Sequence, residues 1–407
     1  MYRTAAAALV THQVELPSWA FRGEDVRLSG WTAPGAPRTP YELLADAAVV
    51  HRFTGVTPSV ALHLPADHTD DYPDLARHAA ELGLSIGSVH PEVNLRQGRP
   101  PGLCHAEEWL RRRAIDQLLA AVEVAAAVHA RRLTLRFVDD SPYPGQAELQ
   151  ARRDRLASGL SEVYASLPAG LRLVVEYSVV EPCFYTMDVP DWGIAYAQCL
   201  ALGPAAQVLV DTGPYAQGRH PDFVVELLRR EARFGGVVIL SPPDETADPF
   251  DLFLVMTELA AADAGPTPLT LDPGANRTPG ILPLIRSVLG AQEAAARATR
   301  LDGDACRIAH AEGDLTRVHE LLMEAFSADV SDTLAEARAE LGVAADPIAA
   351  YHEACHTEHR AAERRAAEQR VAARRTATQH RPADRRPGPR RTADNLVPLP
   401  SPAGRHP

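Results

Sequence analysis

The chain has 407 residues, 46% of them hydrophobic and 23% charged, and its 53 acidic and 41 basic residues give a net charge of −12. An acidic protein of this kind is not expected to have nucleic acid as its main ligand, and no apolar run is long enough to cross a bilayer. The chain contains no lysine, which excludes a Schiff-base lysine, a phosphate-loop lysine and a lysine general base.

Cysteine usage indicates a reducing compartment. The five cysteines are scattered, with no CxxC pair (Cys104, Cys183, Cys199, Cys306 and Cys355). The N-terminal segment MYRTAAAALVTH has one arginine and a short apolar patch, too little to predict a signal peptide. We therefore expect a cytoplasmic protein.

Four segments follow one another along the chain. Residues 1–40, which contain several prolines, are predicted to form an N-terminal arm. Residues 41–300 alternate between strand and helix patterns, and residues 301–355 continue as a helical extension. Residues 356–407 are rich in Arg and Pro, and we expect them to be largely disordered because they cannot form a core.

The middle segment predicts an α/β fold built as a (β/α)₈ TIM barrel. Seven short strands alternate with helices, the pattern of a parallel sheet that is buried on both faces. The predicted strands are 59–64, 84–89, 132–138, 171–177, 206–211, 235–241 and 268–272. No eighth strand is evident, so we expect the barrel to close irregularly.

Three acidic residues stand at the ends of three apolar runs, Glu176 after LRLVV, Asp211 after AQVLV and Asp272 after PLTL. In a TIM barrel the carboxyl ends of the strands meet at one rim, where catalytic groups lie. One acid at a strand end is more often the cap of the next helix, but three together favour an ancestral site for a divalent cation. The run GGVVIL carries Val238 where a further ligand is expected.

His63 ends the strand SVALHL and is followed by Asp67. Its imidazole could act as acid and base on a sugar ring oxygen. It could equally be a hydrogen-bonded histidine beside a loop, and its position alone does not separate the two interpretations.

Collinear segments resemble a known family. They are ELPSWA, HRFTGVTPSVALHLPAD, RLTLRFVDDSPYPGQ, LRLVVEYSVVEPCFYT, DWGIAYAQCLALGP, VLVDTG, DPFDLFLVMTEL, LTLDPGANRT and DPIAAYHEA. Together they cover about residues 14–355 and resemble the bacterial L-rhamnose isomerases of broad sugar specificity, which are xylose-isomerase-like TIM barrels. The resemblance implies an enzyme that interconverts aldoses and ketoses with two divalent ions.

The resemblance also marks departures from the family's metal site. Glu176, Asp211 and Asp272 fall on three ligands, and His63 falls on the ring-opening histidine. The histidine ligand falls on Val238, and a histidine of the second metal site falls on Tyr215. A sugar-lining tryptophan falls on Arg136, which we expect to balance the acids in place of a cation.

Further departures are Ser178 in place of a lysine, Ala66 in place of a second tryptophan, and a shortened acidic loop that leaves Asp244, Glu245 and Asp248 as candidate donors. We therefore expect weak or absent binding of Mn²⁺, Co²⁺ or Mg²⁺. Asp67, Arg136 and Tyr215 are the residues that we assign to substrate contact.

Two functions follow from this pattern. The first is a divergent metal-dependent sugar isomerase, based on the acids and His63. The second is a catalytically inactive barrel that binds sugar or regulates, based on the lost ligands. In either case we expect a small sugar as ligand, no nucleic-acid or membrane partner, and a homo-oligomer, either a tetramer or a dimer. The tail could contact an anionic partner, although a solvated end is the simpler interpretation.

Overall fold

The computed structural model describes most of the chain, and all described residues belong to a compact unit that spans Met1–Thr357. The described residues are 9, 13–22, 35–92, 102–137, 140–141, 148–177, 186–212, 221–240, 248–261, 269–272 and 280–354. Tyr215, Ser178, Asp244, Glu245 and the predicted tail at 356–407 lie outside them.

Eight parallel strands form a closed barrel, which confirms the predicted (β/α)₈ fold. The order around the barrel is β1-β10-β9-β8-β6-β4-β3-β2. These strands are β1 (Val14–Pro17), β2 (Ser59–Leu64), β3 (Ser85–Pro91), β4 (Arg132–Arg136), β6 (Arg172–Glu176), β8 (Ala206–Asp211), β9 (Phe234–Leu240) and β10 (Leu269–Asp272). Two short strands outside the barrel, β5 (Asp140–Ser141) and β7 (Thr186–Met187), pair antiparallel.

The expected irregular closure is wrong, because the eighth strand is β1, which lies within the predicted N-terminal arm. It pairs with β10 on one side and with β2 on the other, so the barrel begins well before residue 41. The sequence gives little signal for β1 since it has only four residues and ends at a proline. A buried strand this short depends on its two neighbours for its hydrogen bonds.

Helices connect the barrel strands and cover the outside of the barrel. They span Pro40–Thr54, Tyr72–Glu81, Glu108–Ala127, Leu149–Ala165, Trp192–Leu202, Pro221–Arg230, Pro249–Ala261 and Ile281–Ala298. Local sequence fixes several ends: the Thr39 hydroxyl accepts from the Glu42 N–H at one helix start, and Gly55 ends the same helix with φ 73°. Neither these helices nor any other described helix is long and apolar enough to cross a membrane.

The predicted C-terminal helical extension is present and has four helices: Gly303–Glu312, Leu315–Phe326, Ser331–Leu341 and Pro347–Ala354. Aromatic contacts attach it to the barrel helices. The Tyr351 ring meets Phe53 edge to face at a centroid distance of 5.6 Å, and Phe326 meets Phe250 at 5.2 Å. The extension therefore packs on the outside of the barrel, away from its interior.

The barrel interior has two chemically different halves. On the β6, β8 and β9 side, Val174, Leu209 and Val238 are buried and pack on one another, apart from the main core. On the β1, β3 and β4 side, the interior holds a hydrogen-bonded set of polar side chains that includes Glu15 and Ser88. Alternate residues of each parallel strand face the barrel interior. The apolar half and the polar half of the interior therefore each extend to the rim at the carboxyl ends of their strands.

Candidate active site

The three predicted acids all stand at the carboxyl ends of barrel strands. Glu176 is the last residue of β6, Asp211 the last of β8 and Asp272 the last of β10. Glu176 is partly buried and Asp211 is 7% exposed, while the side chain of Asp272 is not among those described. The structure therefore places all three strand ends on one rim and shows the carboxylate surroundings of two of them.

The backbone of Asp211 is fixed by its neighbour Tyr177. The Tyr177 hydroxyl donates to the carbonyl oxygen of Asp211 and accepts from its N–H, both at 3.0 Å. Burial, reinforced by the negative charge of Asp211, raises the pKa of Tyr177 above its usual value. Tyr177 therefore stays a neutral phenol that both donates and accepts, and it holds the end of β8 in place.

Val238 occupies the floor of the site beside Asp211. It is 5% exposed, pairs in register with Asp211 on β8 and with Thr270 on β10, and packs against Val174 and Leu209. An isopropyl group has no lone pair for a metal or a hydroxyl. The site therefore has an apolar floor at the position where the sequence resemblance implies a histidine ligand.

Arg136 lies next to Glu176, one of the three acids that we expect it to balance. The two residues are register partners at the ends of β4 and β6, and Arg136 Nε is 3.6 Å from Glu176 Oε1. The Arg136 side chain is 50% exposed and that of Glu176 is 12% exposed. A half-exposed guanidinium can thus neutralise Glu176 from the solvent side and still reach a ligand.

His63 lies on the other side of the rim, on the strand directly opposite β8 in the barrel order. Its Nε2 is 3.6 Å from Glu92 Oε2, and its ring meets the Trp19 indole at a centroid distance of 5.8 Å. The imidazole is 21% exposed. An aromatic face beside a histidine and a carboxylate is suited to a sugar, which presents both C–H groups and hydroxyls.

Asp67 lies behind His63 and is completely buried. Its Oδ2 accepts from the His63 N–H at 2.6 Å, and its Oδ1 is 2.6 Å from the Arg22 guanidinium, whose side chain is 5% exposed. These contacts hold the turn after β2 in place. The substrate contact that we assigned to Asp67 stays a prediction, and so does that of Tyr215, which lies outside the described residues.

Sequence reasoning missed His90, which belongs to the same wall. The strand was predicted to end at Val89, whereas β3 continues to Pro91 and places His90 in register with His63. The His90 ring meets the Trp19 indole at 5.1 Å, so Trp19 contacts both histidines. The rule that pointed to the acids, a polar residue directly after an apolar strand, could have found it.

The side chains described at this rim have the type of donor atom that divalent cations bind. Glu176 and Asp211 supply the carboxylate oxygens that Mg²⁺ and Mn²⁺ prefer. Within the described ranges no group of three or more His, Cys, Asp or Glu side chains could hold a metal ion. Asp272, whose side chain is not described, is the third carboxylate that the strand order brings to this rim.

Two known proteins that are similar to this chain carry the name probable sugar isomerase. It is 32% identical over 374 residues to a probable sugar isomerase of Rhizobium meliloti (strain 1021), covering 88% of this chain and 87% of that protein. It is also 32% identical over 371 residues to a probable sugar isomerase of Mesorhizobium japonicum, covering 86% and 85%. No protein-family model matches the chain.

A solved structure shares the fold. The crystal structure of a Sinorhizobium meliloti 1021 protein superimposes with a TM-score of 0.51 at 17% identity, covering 70% of this chain and 98% of that one. At 17% identity this likeness shows the fold alone. The two rhizobial relatives, in contrast, are similar in sequence over nearly the whole of both chains. This chain therefore belongs to the family of the probable sugar isomerases.

Proposed function

We propose that this protein is an aldose–ketose isomerase that binds its sugar at the carboxyl-terminal rim of the barrel. The observation that carries the proposal is the pairing of two walls across the barrel opening. Glu176 and Asp211 end neighbouring strands on one side, and His63 with the Trp19 indole forms the other side. A sugar between these walls has carboxylates for its hydroxyls and an aromatic face for its C–H groups.

His63 has the contacts of an acid/base group. Its imidazole is partly exposed, and its Nε2 lies 3.6 Å from the Glu92 carboxylate. An imidazole can give a proton to a sugar ring oxygen and take it back. The buried Asp67 carboxylate fixes the His63 backbone and so limits the positions that the ring can take.

Glu176, Asp211 and Asp272 are the residues that would hold a divalent cation such as Mn²⁺, Co²⁺ or Mg²⁺. When bound, such an ion supplies Lewis-acid polarisation of the sugar oxygens. The remaining work falls to this chain's own side chains: the carboxylates orient the sugar hydroxyls, Trp19 covers the C–H face and His63 moves a proton. L-Rhamnose and related deoxy sugars are the first substrates to test, since the sequence resembles L-rhamnose isomerases.

A second function, sugar binding or regulation without turnover, is favoured by two observations. Val238 gives the site an apolar floor beside Asp211. The Arg136 guanidinium lies at 3.6 Å from Glu176 and supplies a positive charge of its own. A site whose negative charge is partly balanced in this way can bind sugar hydroxyls without a metal. The two functions share the same ligand and differ in whether the ligand is converted.

The decisive experiment measures metal content, binding and turnover on one preparation. Purified full-length protein is analysed for bound Mn²⁺, Co²⁺ and Mg²⁺, and then assayed for aldose–ketose conversion and by calorimetry with deoxy and ordinary hexoses. Glu176→Gln with Asp211→Asn should abolish turnover and weaken sugar binding. Glu340→Gln, an exposed change on the C-terminal extension, is the matched control and should behave as the unmodified protein.

Each outcome decides between the candidates. Conversion that is lost in the double variant and kept in the control supports the isomerase. Sugar binding without conversion, with or without added metal, supports the binding protein. Neither binding nor conversion over the whole sugar set would overturn both. We further propose a homo-oligomer, a tetramer or a dimer, which light scattering after size-exclusion chromatography measures directly.

A further inference from the structure

A chain of hydrogen bonds runs through the polar half of the barrel interior. Glu15 on β1 is 3% exposed, and its Oε2 accepts from the Arg132 guanidinium at 2.6 Å and from Ser88 Oγ at 2.9 Å. The next bond joins Ser88 Oγ to His90 Nε2 at 3.0 Å. Arg132, Glu15, Ser88 and His90 thus connect the lower interior with the rim.

Gly87 makes room for this chain. A Cβ atom at residue 87 would lie 2.2 Å from Glu15 Oε1, well inside van der Waals contact. Any larger residue would therefore force the Glu15 carboxylate to shift. The absence of a side chain at this position is a requirement of the buried Glu15, which is itself an uncommon residue for a barrel interior.

The direction of the bonds fixes which nitrogen of His90 carries a proton. Glu15, paired with the Arg132 guanidinium, is an ionised carboxylate and can only accept. Ser88 has a single hydroxyl proton, which it donates to Glu15, so Ser88 Oγ must accept from His90 Nε2–H. A neutral His90 then has a bare Nδ1, which is a hydrogen-bond acceptor.

His90 is held in the neutral form. The residue is partly buried. Burial, with the nearby positive charges of His63 and Arg132, lowers the pKa of His90 to about 3. Within the described part of the chain, the hydrogen bond that His90 makes through its ring is the one to Ser88. Its position in register with His63 and against Trp19 places it on the wall of the proposed sugar site.

We propose that His90 is a sugar-contacting residue whose bare Nδ1 accepts a hydrogen bond from a sugar hydroxyl, and that Arg132, Glu15 and Ser88 are the positioning residues that fix its tautomer. The sugar contact rests on the proposed function, whereas the tautomer does not. The two adjacent histidines then have different roles: His63 moves a proton at the ring oxygen, and His90 selects a hydroxyl of defined orientation.

The tautomer is measured first, without any sugar. Full-length protein labelled with ¹⁵N-histidine is studied by long-range ¹H–¹⁵N correlation at neutral pH, and His90→Gln identifies the His90 signals. We expect the Nε2–H tautomer in the unmodified protein and a mixture of tautomers in Ser88→Ala. An Nδ1–H tautomer or an imidazolium in the unmodified protein, or an unchanged tautomer in Ser88→Ala, would overturn the positioning argument.

The sugar contact is measured next with two matched variants. The His90→Gln side chain keeps an N–H donor for Ser88 but has no acceptor at the place of Nδ1, so sugar affinity should fall about tenfold, the loss of one hydrogen bond. His90→Asn keeps an acceptor near Nδ1 and should lose less. Circular dichroism and thermal unfolding show that both variants are folded, so that a change in sugar affinity is not a folding defect.

Failure of this inference and failure of the proposed function give different results. If the unmodified protein binds or converts a sugar and His90→Gln keeps the same KM and kcat, the contact is refuted while the proposed function stands. If the unmodified protein binds no sugar at all, the contact falls together with the proposed function, and the tautomer measurement still decides the role of Ser88.

Discussion

Replacing Arg22 with Met tests how the wall that holds His63 is stabilised. The Arg22 side chain is 5% exposed and contacts Asp67, which is fully buried, at 2.6 Å. Methionine keeps much of the apolar stem of arginine but removes the charge. In this variant the buried Asp67 carboxylate still accepts from the His63 N–H but no longer has a positively charged partner.

The expected cost follows from leaving a buried carboxylate without its partner. Removing one member of a buried ion pair typically costs about 3–5 kcal/mol of unfolding free energy. A unit of roughly 350 residues has an unfolding entropy of about 0.7 kcal/mol per degree near the midpoint, so Arg22→Met should lower Tm by about 4–7 °C. Combining it with Asp67→Asn should restore at least half of the loss, because the amide is uncharged and still accepts from His63 N–H.

Urea and thermal unfolding of the two single variants and the double variant give the coupling energy directly. Arg77→Met is the matched control, since Arg77 pairs with Asp74 on the surface and is 66% exposed, and it should change stability by less than about 1 kcal/mol. A loss in Arg22→Met no larger than that of the control would refute the reasoning. So would a double variant as unstable as Arg22→Met alone.

Three further predictions concern the rim. Val238→His should strengthen Co²⁺ binding by about tenfold or more, because an imidazole then stands in register with Asp211. Calorimetry measures this affinity, and an unchanged value would contradict a shared coordination site. Arg136→Gln should also strengthen Co²⁺ binding, because the guanidinium no longer competes with the ion for Glu176. A weaker Co²⁺ affinity would show that Arg136 supports the site instead. Stability should decrease as the pH falls from 6.5 to about 3, because His90 stays neutral when folded and the unfolded chain binds more protons in that window. In urea unfolding at several pH values, the free energy of unfolding of His90→Gln should therefore fall less steeply with decreasing pH than that of the unmodified protein. Equal slopes for the two proteins would contradict the lowered pKa of His90.

The strand–helix alternation and the three strand-end acids could be predicted from the sequence for a simple physical reason. A strand buried on both faces must be short and apolar, and parallel strands place their carboxyl ends on one rim. Glu176, Asp211 and Asp272 follow such runs directly, so their place in the fold is set by local pattern. The inward position of Val238 can be predicted in the same way, because residues along β9 face the barrel interior and the outer helices in turn.

The tertiary structure alone decided which of these residues lie close together. β1 cannot be recognised from the sequence because it is short and ends at a proline. Pairing with its two neighbouring strands makes it the eighth strand of the barrel. Because β1 carries Glu15 and leads to Trp19, the polar wall with His90 and His63 could not be derived without it. Hydrogen bonds between residues 73 positions apart, such as Ser88 to Glu15, depend on barrel closure and leave no periodic trace in the sequence.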